Sequence, residues 1–280
     1  MVERLPKIDK YLRPPWGSLP LRAVTRVQVH ELLDTLVAVG MTVGVNRVQA
    51  LISRLFTVAV DRSLLESHPA ARMEKRFKEK PSERVLTDDE LRALWAGLDA
   101  HPGRAADALR LRLLTGQRGE EVVGMLWSEV DLAARVWQLS PDRTKNGRAH
   151  AVPLSASAMT LIRRAKAARE GDAIRVFPYL TLRSDDHRAL AAIHGGTYEW
   201  KDLRRTVATR LAGLGFDETC IGRVLNHARV TVTGRHYNQH AYLDEKRAAL
   251  DDWARALAGI VSNKRPQGAA VVRFRRQSAR

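Results

Sequence analysis

Apolar residues recur every three or four positions through most of this chain, the spacing that lines them along one face of an α-helix. In "TRVQVHELLDTLVAVG", Leu32, Leu33, Leu36 and Val37 share a side, Thr25 stands where an N-cap is needed, and Gly40 supplies a stop. "TVGVNRVQALISRLFTVAVDRSLL" repeats the pattern through Val45, Val48, Leu51, Ile52, Leu55, Phe56 and Ala59. Together they predict a small helical domain over residues 1–73. The stretch "EKRFKEKPSERVL", residues 74–86, is dense in charge and contains a proline, as an interdomain linker would be. Thr87 and Glu90 in "TDDELRALWAGL" then have the spacing of a capping box and open a second domain over 87–262.

Within that second domain "RAADALRLRLLTGQ" reads as a helix running into Gly116, and "GEEVVGMLWSEV" as another helix after a tight turn. The texture then changes. β-prone runs at 136–139 and 149–154 flank "RTKNGR", whose Asn146-Gly147 pair is a hairpin-turn signal. Helical patterns return at 155–170, 202–214, 217–226 and 244–260. The last of these carries Leu250, Trp253, Ala254 and Leu257 on one side, a face that either packs on its own domain or joins a second subunit. The fold class is therefore mainly α with a small β-hairpin or sheet, in two domains: a helical one and a mixed α/β one.

Charge sharpens this picture. With 47 Lys and Arg against 31 Asp and Glu, the 280 residues carry a formal net charge of +16. The tail 263–280 contributes Lys264, Arg265, Arg273, Arg275, Arg276 and Arg280 and no acid, yet these six are less than half of the excess. The rest lies in the body, as expected of a surface that neutralises phosphates and releases their counterions. One cysteine, Cys220, excludes an internal disulfide and a thiolate zinc cluster and suits a reducing compartment, the cytoplasm. No long uncharged apolar run suggests a membrane span, and the first residues do not read as a secretory signal.

Four segments combine cations with tight structural punctuation. Arg118 sits at a helix-to-helix turn, where free amides also suit anions, with Glu121 placed to fix its guanidinium or simply to pair with it. Lys145 lies at the predicted hairpin tip. Lys201 and Arg204, three apart in "WKDLRRTVATRLAGLG", share a helical face, while Arg205 turns away toward solvent or a phosphate backbone. In "NHARVTVTGRHYNQH", His227 ends a helix, and Tyr237 stands among Arg229, Arg235, His236 and His240. Polar neighbours on both sides are a poor setting for a tyrosine buried for packing. The i, i+4 spacing of His236 and His240 would suit zinc, but no third ligand pattern accompanies it.

In this order the segments resemble the tyrosine recombinases, the phage-integrase family. "TGQRGEEVVGMLWSEVDL" is similar to that family's first arginine motif, "TKNGRAHAVPLS" to its β-hairpin lysine motif, "KDLRRTVATRL" to its HxLRRT box and "VLNHARVTVTGRHY" to its LxH…Y box. "YLDEKRAALDDWA" resembles the stretch that often follows in prophage and island integrases. The likeness covers about residues 20–260 and is strongest after residue 86, while 178–199 match poorly.

The resemblance implies a helical core-binding domain, a catalytic domain and a six-residue site of Arg118, Lys145, Lys201, Arg204, His227 and Tyr237, with Glu121 in support. Tyr237 would be the nucleophile, cleaving and rejoining DNA strands through a 3′-phosphotyrosine with neither metal nor cofactor. Lys201 stands where the family usually has a histidine. Related integrases also carry an arm-binding domain and a first core-binding helix ahead of where this likeness begins, so the first domain is expected to be a shortened one. The implied partners are double-stranded DNA at attachment-type sites, further copies of the chain (a tetramer on DNA) and an accessory directionality factor, with no membrane. Two other readings fit the same residues: an integrase remnant that binds DNA without cutting it, and a strand-relaxing enzyme of the type IB topoisomerase kind.

Overall fold

The computed structural model describes residues 5–79, 83–180, 199–227 and 242–263. It divides into two compact units, residues 1–81 and 82–280.

The first unit is helical. Short helical turns α1 (Leu5–Lys7) and α2 (Arg13–Trp16) precede α3 (Arg26–Ala38) and α4 (Gly44–Asp61). Thr25 caps α3 as its position suggested: its Oγ1 accepts the Gln28 N–H, while Gln28 Oε1 accepts the Thr25 N–H at 2.8 Å. Val29, Leu33 and Leu36 of α3 meet Val45, Val48, Ile52 and Phe56 of α4 in one apolar core. Of the charged stretch 74–86, Phe77 packs in the first unit and Leu86 in the second. Asn46 Nδ2 on α4 donates to the Phe77 carbonyl at 2.7 Å, and the Phe77 ring joins the core of the first unit. Leu86 is fully buried in the second unit, where its N–H donates to Thr206 Oγ1 at 2.9 Å.

The second unit runs α5 (Asp88–Ala100), α6 (Arg104–Thr115), α7 (Gly119–Val123), β1 (Val130–Asp131), β2 (Val136–Leu139), β3 (His150–Pro153), α8 (Ala156–Ala167), α9 (Trp200–Gly213), α10 (Glu218–Val224) and α11 (Leu243–Val261). Thr87 and Glu90 form the predicted box at the start of α5. The three strands make an antiparallel sheet in the order β1-β2-β3, with Trp137 opposite Val152 and Leu139 opposite His150.

One expectation changes. "GEEVVGMLWSEV" is not one long helix. Helix α7 stops at Val123 because the Trp127 N–H reaches the Ile174 carbonyl at 3.0 Å and the Val176 N–H the Met125 carbonyl at 2.9 Å, which draws the chain into extended pairing. The hairpin expected around Asn146-Gly147 is present, with strands close to the predicted runs 136–139 and 149–154. The β2–β3 connection spans 140–149, and its turn runs from Thr144 to Gly147, whose N–H meets the Thr144 carbonyl at 3.1 Å. The pair turns the chain, with Gly147 at φ +66°.

Helix α11 settles where its apolar face goes. Leu250, Trp253, Ala254 and Leu257 are buried in the core of their own unit, and Trp253 Nε1 donates to the Leu113 carbonyl of α6 at 2.7 Å. Among the described residues no helix is long and apolar enough to cross a membrane.

Candidate functional site

The ends of α6 and α10 form the floor of the candidate site. Helix α6 terminates in the left-handed Gly116, at φ +67°. A Cβ there would lie 2.8 Å from Leu225 Cδ2 and 3.0 Å from Val207 Cγ1, so both conformation and space require glycine. The next residue, Gln117, is 1% exposed and joins the two helix ends: its Nε2 donates to the Thr115 carbonyl at 2.8 Å and to the Val224 carbonyl at 2.9 Å.

Arg118 follows, at the N-cap of α7. Glu121, buried one turn on, accepts both the Arg118 N–H and its Nη1 at 3.0 Å each, which fixes the guanidinium relative to the backbone that carries it. Arg204 reaches the same place from α9. Its Nη1 donates to the Gly116 carbonyl at 2.8 Å, and its Nη2 to the Leu225 carbonyl. Both acceptors lie at helix C-terminal ends, where the dipole favours a cation. Burial and the adjacent Arg118 pull the Arg204 guanidinium down to about 10, against the opposing effect of Glu121. It remains charged at neutral pH.

Helix α10 ends with the Asn226 N–H on the Arg223 carbonyl at 3.3 Å, the His227 N–H on the Gly222 carbonyl at 2.8 Å, and Asn226 left-handed at φ +50°. His227 emerges from this turn open to solvent. Partial burial of its ring, then Arg204 and Arg118, lower its pKa below the ordinary histidine value, favouring the neutral imidazole. Arg118, Glu121, Arg204 and His227 are thus brought together.

Lys145 is exposed on the 144–147 turn. That turn is fastened at its base, where Arg143 Nε meets Glu129 Oε1 at 2.7 Å and Arg143 Nη2 meets the Gly124 carbonyl. At its tip the Asn146 side chain bonds Asn226. Lys201, in the first turn of α9, is exposed and paired with Glu199 at 2.8 Å. Arg205 does not run free into solvent: its Nη1 is held at 2.6 Å by the buried Asp202. Tyr237, with Arg229, Arg235, His236 and His240, lies outside the described residues, as do 181–198 of the poorly matching stretch and the tail from 264 onward. Among the described residues no three His, Cys, Asp or Glu side chains come together as a metal-binding group.

Sequence reasoning passed over Gln117, Arg143, His150 and Asn226, and read Asn146 only as part of a turn. Buried His150 on β3 has its Nε2 3.2 Å from the Val224 carbonyl. Burial, then Lys246, Arg204 and Arg118, push it down to about 3 against the pull of that carbonyl. The available signal was position, since the amides at 117, 146 and 226 each adjoin a candidate residue in a turn.

Against this geometry, a model of the Phage integrase family matches residues 84–243. Prophage integrase IntA of Escherichia coli (strain K12) is 27% identical over 266 residues, covering 88% of this chain and 62% of its own length. A lambda integrase dimer bound to a COC′ core site superposes with a TM-score of 0.61 at 19% identity, covering 85% of this chain and 73% of that one. A lambda integrase tetramer bound to a Holliday junction gives the same TM-score, identity and coverage.

Proposed function

Because the chain belongs to the phage integrase family, whose model spans residues 84–243, we propose that it is a site-specific DNA recombinase that cleaves and rejoins strands through a 3′-phosphotyrosine. The observation that carries this reading is the pairing of Arg118 and Arg204 beside His227 on a floor of helix ends, with Glu121 buried behind. Planar guanidinium donors match phosphate geometry. Losing one such donor at a transition state typically costs about 3–4 kcal/mol.

In the proposed step the phenolic oxygen of Tyr237 bonds to phosphorus while the bond from phosphorus to the 5′-oxygen breaks. The phenol proton passes to a base, for which the neutral imidazole of His227 is the candidate, and the departing 5′-oxygen takes a proton from Lys145. Arg118 and Arg204 neutralise the non-bridging oxygens. Lys201 adds a donor to them by exchanging Glu199 for the phosphate. One phosphoester replaces another, so rejoining is the same step reversed and needs no nucleotide hydrolysis. Both units are proposed to contact duplex DNA, with 1–73 as the core-binding domain and 87–262 as the catalytic one. Self-association on DNA is proposed from the tetramer that lambda integrase forms on a Holliday junction.

A nicked duplex whose cut fragment diffuses away tests the reading. The wild-type chain should become covalently trapped on a 3′-phosphate in excess chelator, and Tyr237→Phe should bind DNA without trapping. Tyr242→Phe is the control, because Tyr242 lies against the Arg223 guanidinium 3.5 Å from its ring centroid and serves packing. An adduct that survives in Tyr237→Phe, or one that requires magnesium, would overturn the mechanism. No adduct from the wild-type chain on its own site would leave a protein that only binds.

A further inference from the structure

We infer that Asn146 and Asn226 are positioning residues that hold the Lys145 turn against the turn carrying His227. Asn146 Nδ2 donates to the Asn226 carbonyl at 2.9 Å and to Asn226 Oδ1 at 3.1 Å, while Asn226 Nδ2 returns a bond to Asn146 Oδ1 at 3.3 Å. The partners lie 80 positions apart, and each is the immediate neighbour of a residue assigned a proton-handling role: Lys145 and His227. The inference rests on the general-acid role given to Lys145 above.

Lys145 needs such a device. Its side chain is exposed, and the connection bearing it runs through 140–149, ten residues in which strand pairing fixes nothing. A lysine there samples many positions, whereas a proton donor works only when held near its acceptor. The base of the connection is fixed through Arg143 and Glu129. The tip is fixed through Asn146. Its Oδ1 also accepts the Arg148 N–H at 3.3 Å, so one amide shapes the turn and docks it. Asn226 suits the other half of the clasp because asparagine tolerates the left-handed backbone that ends α10 and still offers a carbonyl, an amide oxygen and an amide nitrogen.

A merely structural amide would slow every substrate alike; a positioning amide slows only those that need the Lys145 proton. Single-turnover cleavage should therefore be compared on ordinary DNA and on DNA whose leaving 5′-oxygen is sulfur, since a thiolate departs unprotonated. Asn146→Ala should cleave ordinary DNA about ten- to a hundredfold more slowly, a partial loss that stays below the roughly hundred- to ten-thousandfold a general acid contributes in full. On the sulfur substrate it should fall within about twofold of wild type, with DNA affinity unchanged. Lys145→Ala should show the same rescue, and Lys145→Ala/Asn146→Ala should be no slower than Lys145→Ala alone. Asn226→Gly is the second variant. It keeps the backbone conformation and the 2.9 Å acceptor, so its loss on ordinary DNA should be smaller than that of Asn146→Ala. If Lys145→Ala is rescued by sulfur but Asn146→Ala is not, or if Asn146→Ala cleaves ordinary DNA at the wild-type rate, the clasp has no positioning role. If Lys145→Ala itself is not rescued, the general-acid assignment fails, and the clasp proposal falls with it.

Discussion

Glu121 accepts two hydrogen bonds from Arg118, one from its backbone N–H and one from its Nη1, both at 3.0 Å. A single carboxylate that is 3% exposed thereby sets both where the residue starts its helix and where its charge points. Glu121→Ala should lower unfolding free energy by roughly 1.5–3 kcal/mol, the range for bonds to a charged partner. Glu121→Gln keeps an acceptor and should lose less. Urea titration checks both, and an unchanged midpoint in Glu121→Ala would show that the pair does not support the fold.

His150 makes stability depend on acidity. Its imidazole is held to about 3 in the fold, against the usual histidine value when unfolded. Between those values the unfolded chain binds a proton that the folded one refuses, so stability rises with pH across the window and is lost as pH falls through it, by up to about 1.4 kcal/mol per pH unit. Melting curves from pH 7 to pH 5 should show this decline, and His150→Gln should flatten it. Identical slopes in the two proteins would refute the assignment.

Gly116→Ala should be among the most damaging single-methyl additions. The new Cβ meets Leu225 and Val207 inside ordinary contact distance at a left-handed φ, and such strain typically costs about 1–3 kcal/mol. Because the Gly116 carbonyl also holds Arg204, cleavage should fall further than stability alone explains, as single-turnover rates measured well below the melting point would reveal.

Lys201 should separate stability from chemistry. Its pair with Glu199 is exposed on both sides, so Lys201→Ala should shift stability by no more than about 0.5 kcal/mol. Cleavage should drop in Lys201→Ala and largely return in Lys201→His, which restores a donor to phosphate. Equal rates in all three proteins would remove position 201 from the site.

The +16 charge should appear as salt dependence. A log–log slope of about −4 or steeper for duplex binding would correspond to roughly five neutralised phosphates. A slope near zero in a salt titration would exclude an extended DNA surface.

Most of the helices were legible because their apolar periodicity is strong. Thr25, Thr87 and Gly116 also marked ends that the structure keeps. One connection was not legible. Helix α7 stops early through backbone bonds to 174–176, some fifty residues away, and no local propensity encodes such a partner. The Asn146-Gly147 turn and the strand runs on either side were legible, and the Arg143–Glu129 pair and the Thr144 hydroxyl hold the loop between them. At the site, charge drew attention to Arg118, Lys145 and Arg204. The uncharged amides joining their turns stayed hidden because their meaning lies across the chain, in Val224 for Gln117 and in Asn226 for Asn146.

That division of labour bears on how such a protein decays. Gln117, Asn146 and Asn226 fasten the turns, while Lys145 and His227 beside them are exposed. Arg204 is the exception, since it fastens two helix ends itself. If the proposed function holds, a lineage released from selection for strand exchange can lose the proposed proton carriers early and keep a well-folded body, whereas loss of Arg204 or Gly116 would take shape and activity together. Among descendants of such a gene, intact DNA-binding proteins with silent chemistry should outnumber collapsed ones, and position 204 should be among the last to drift.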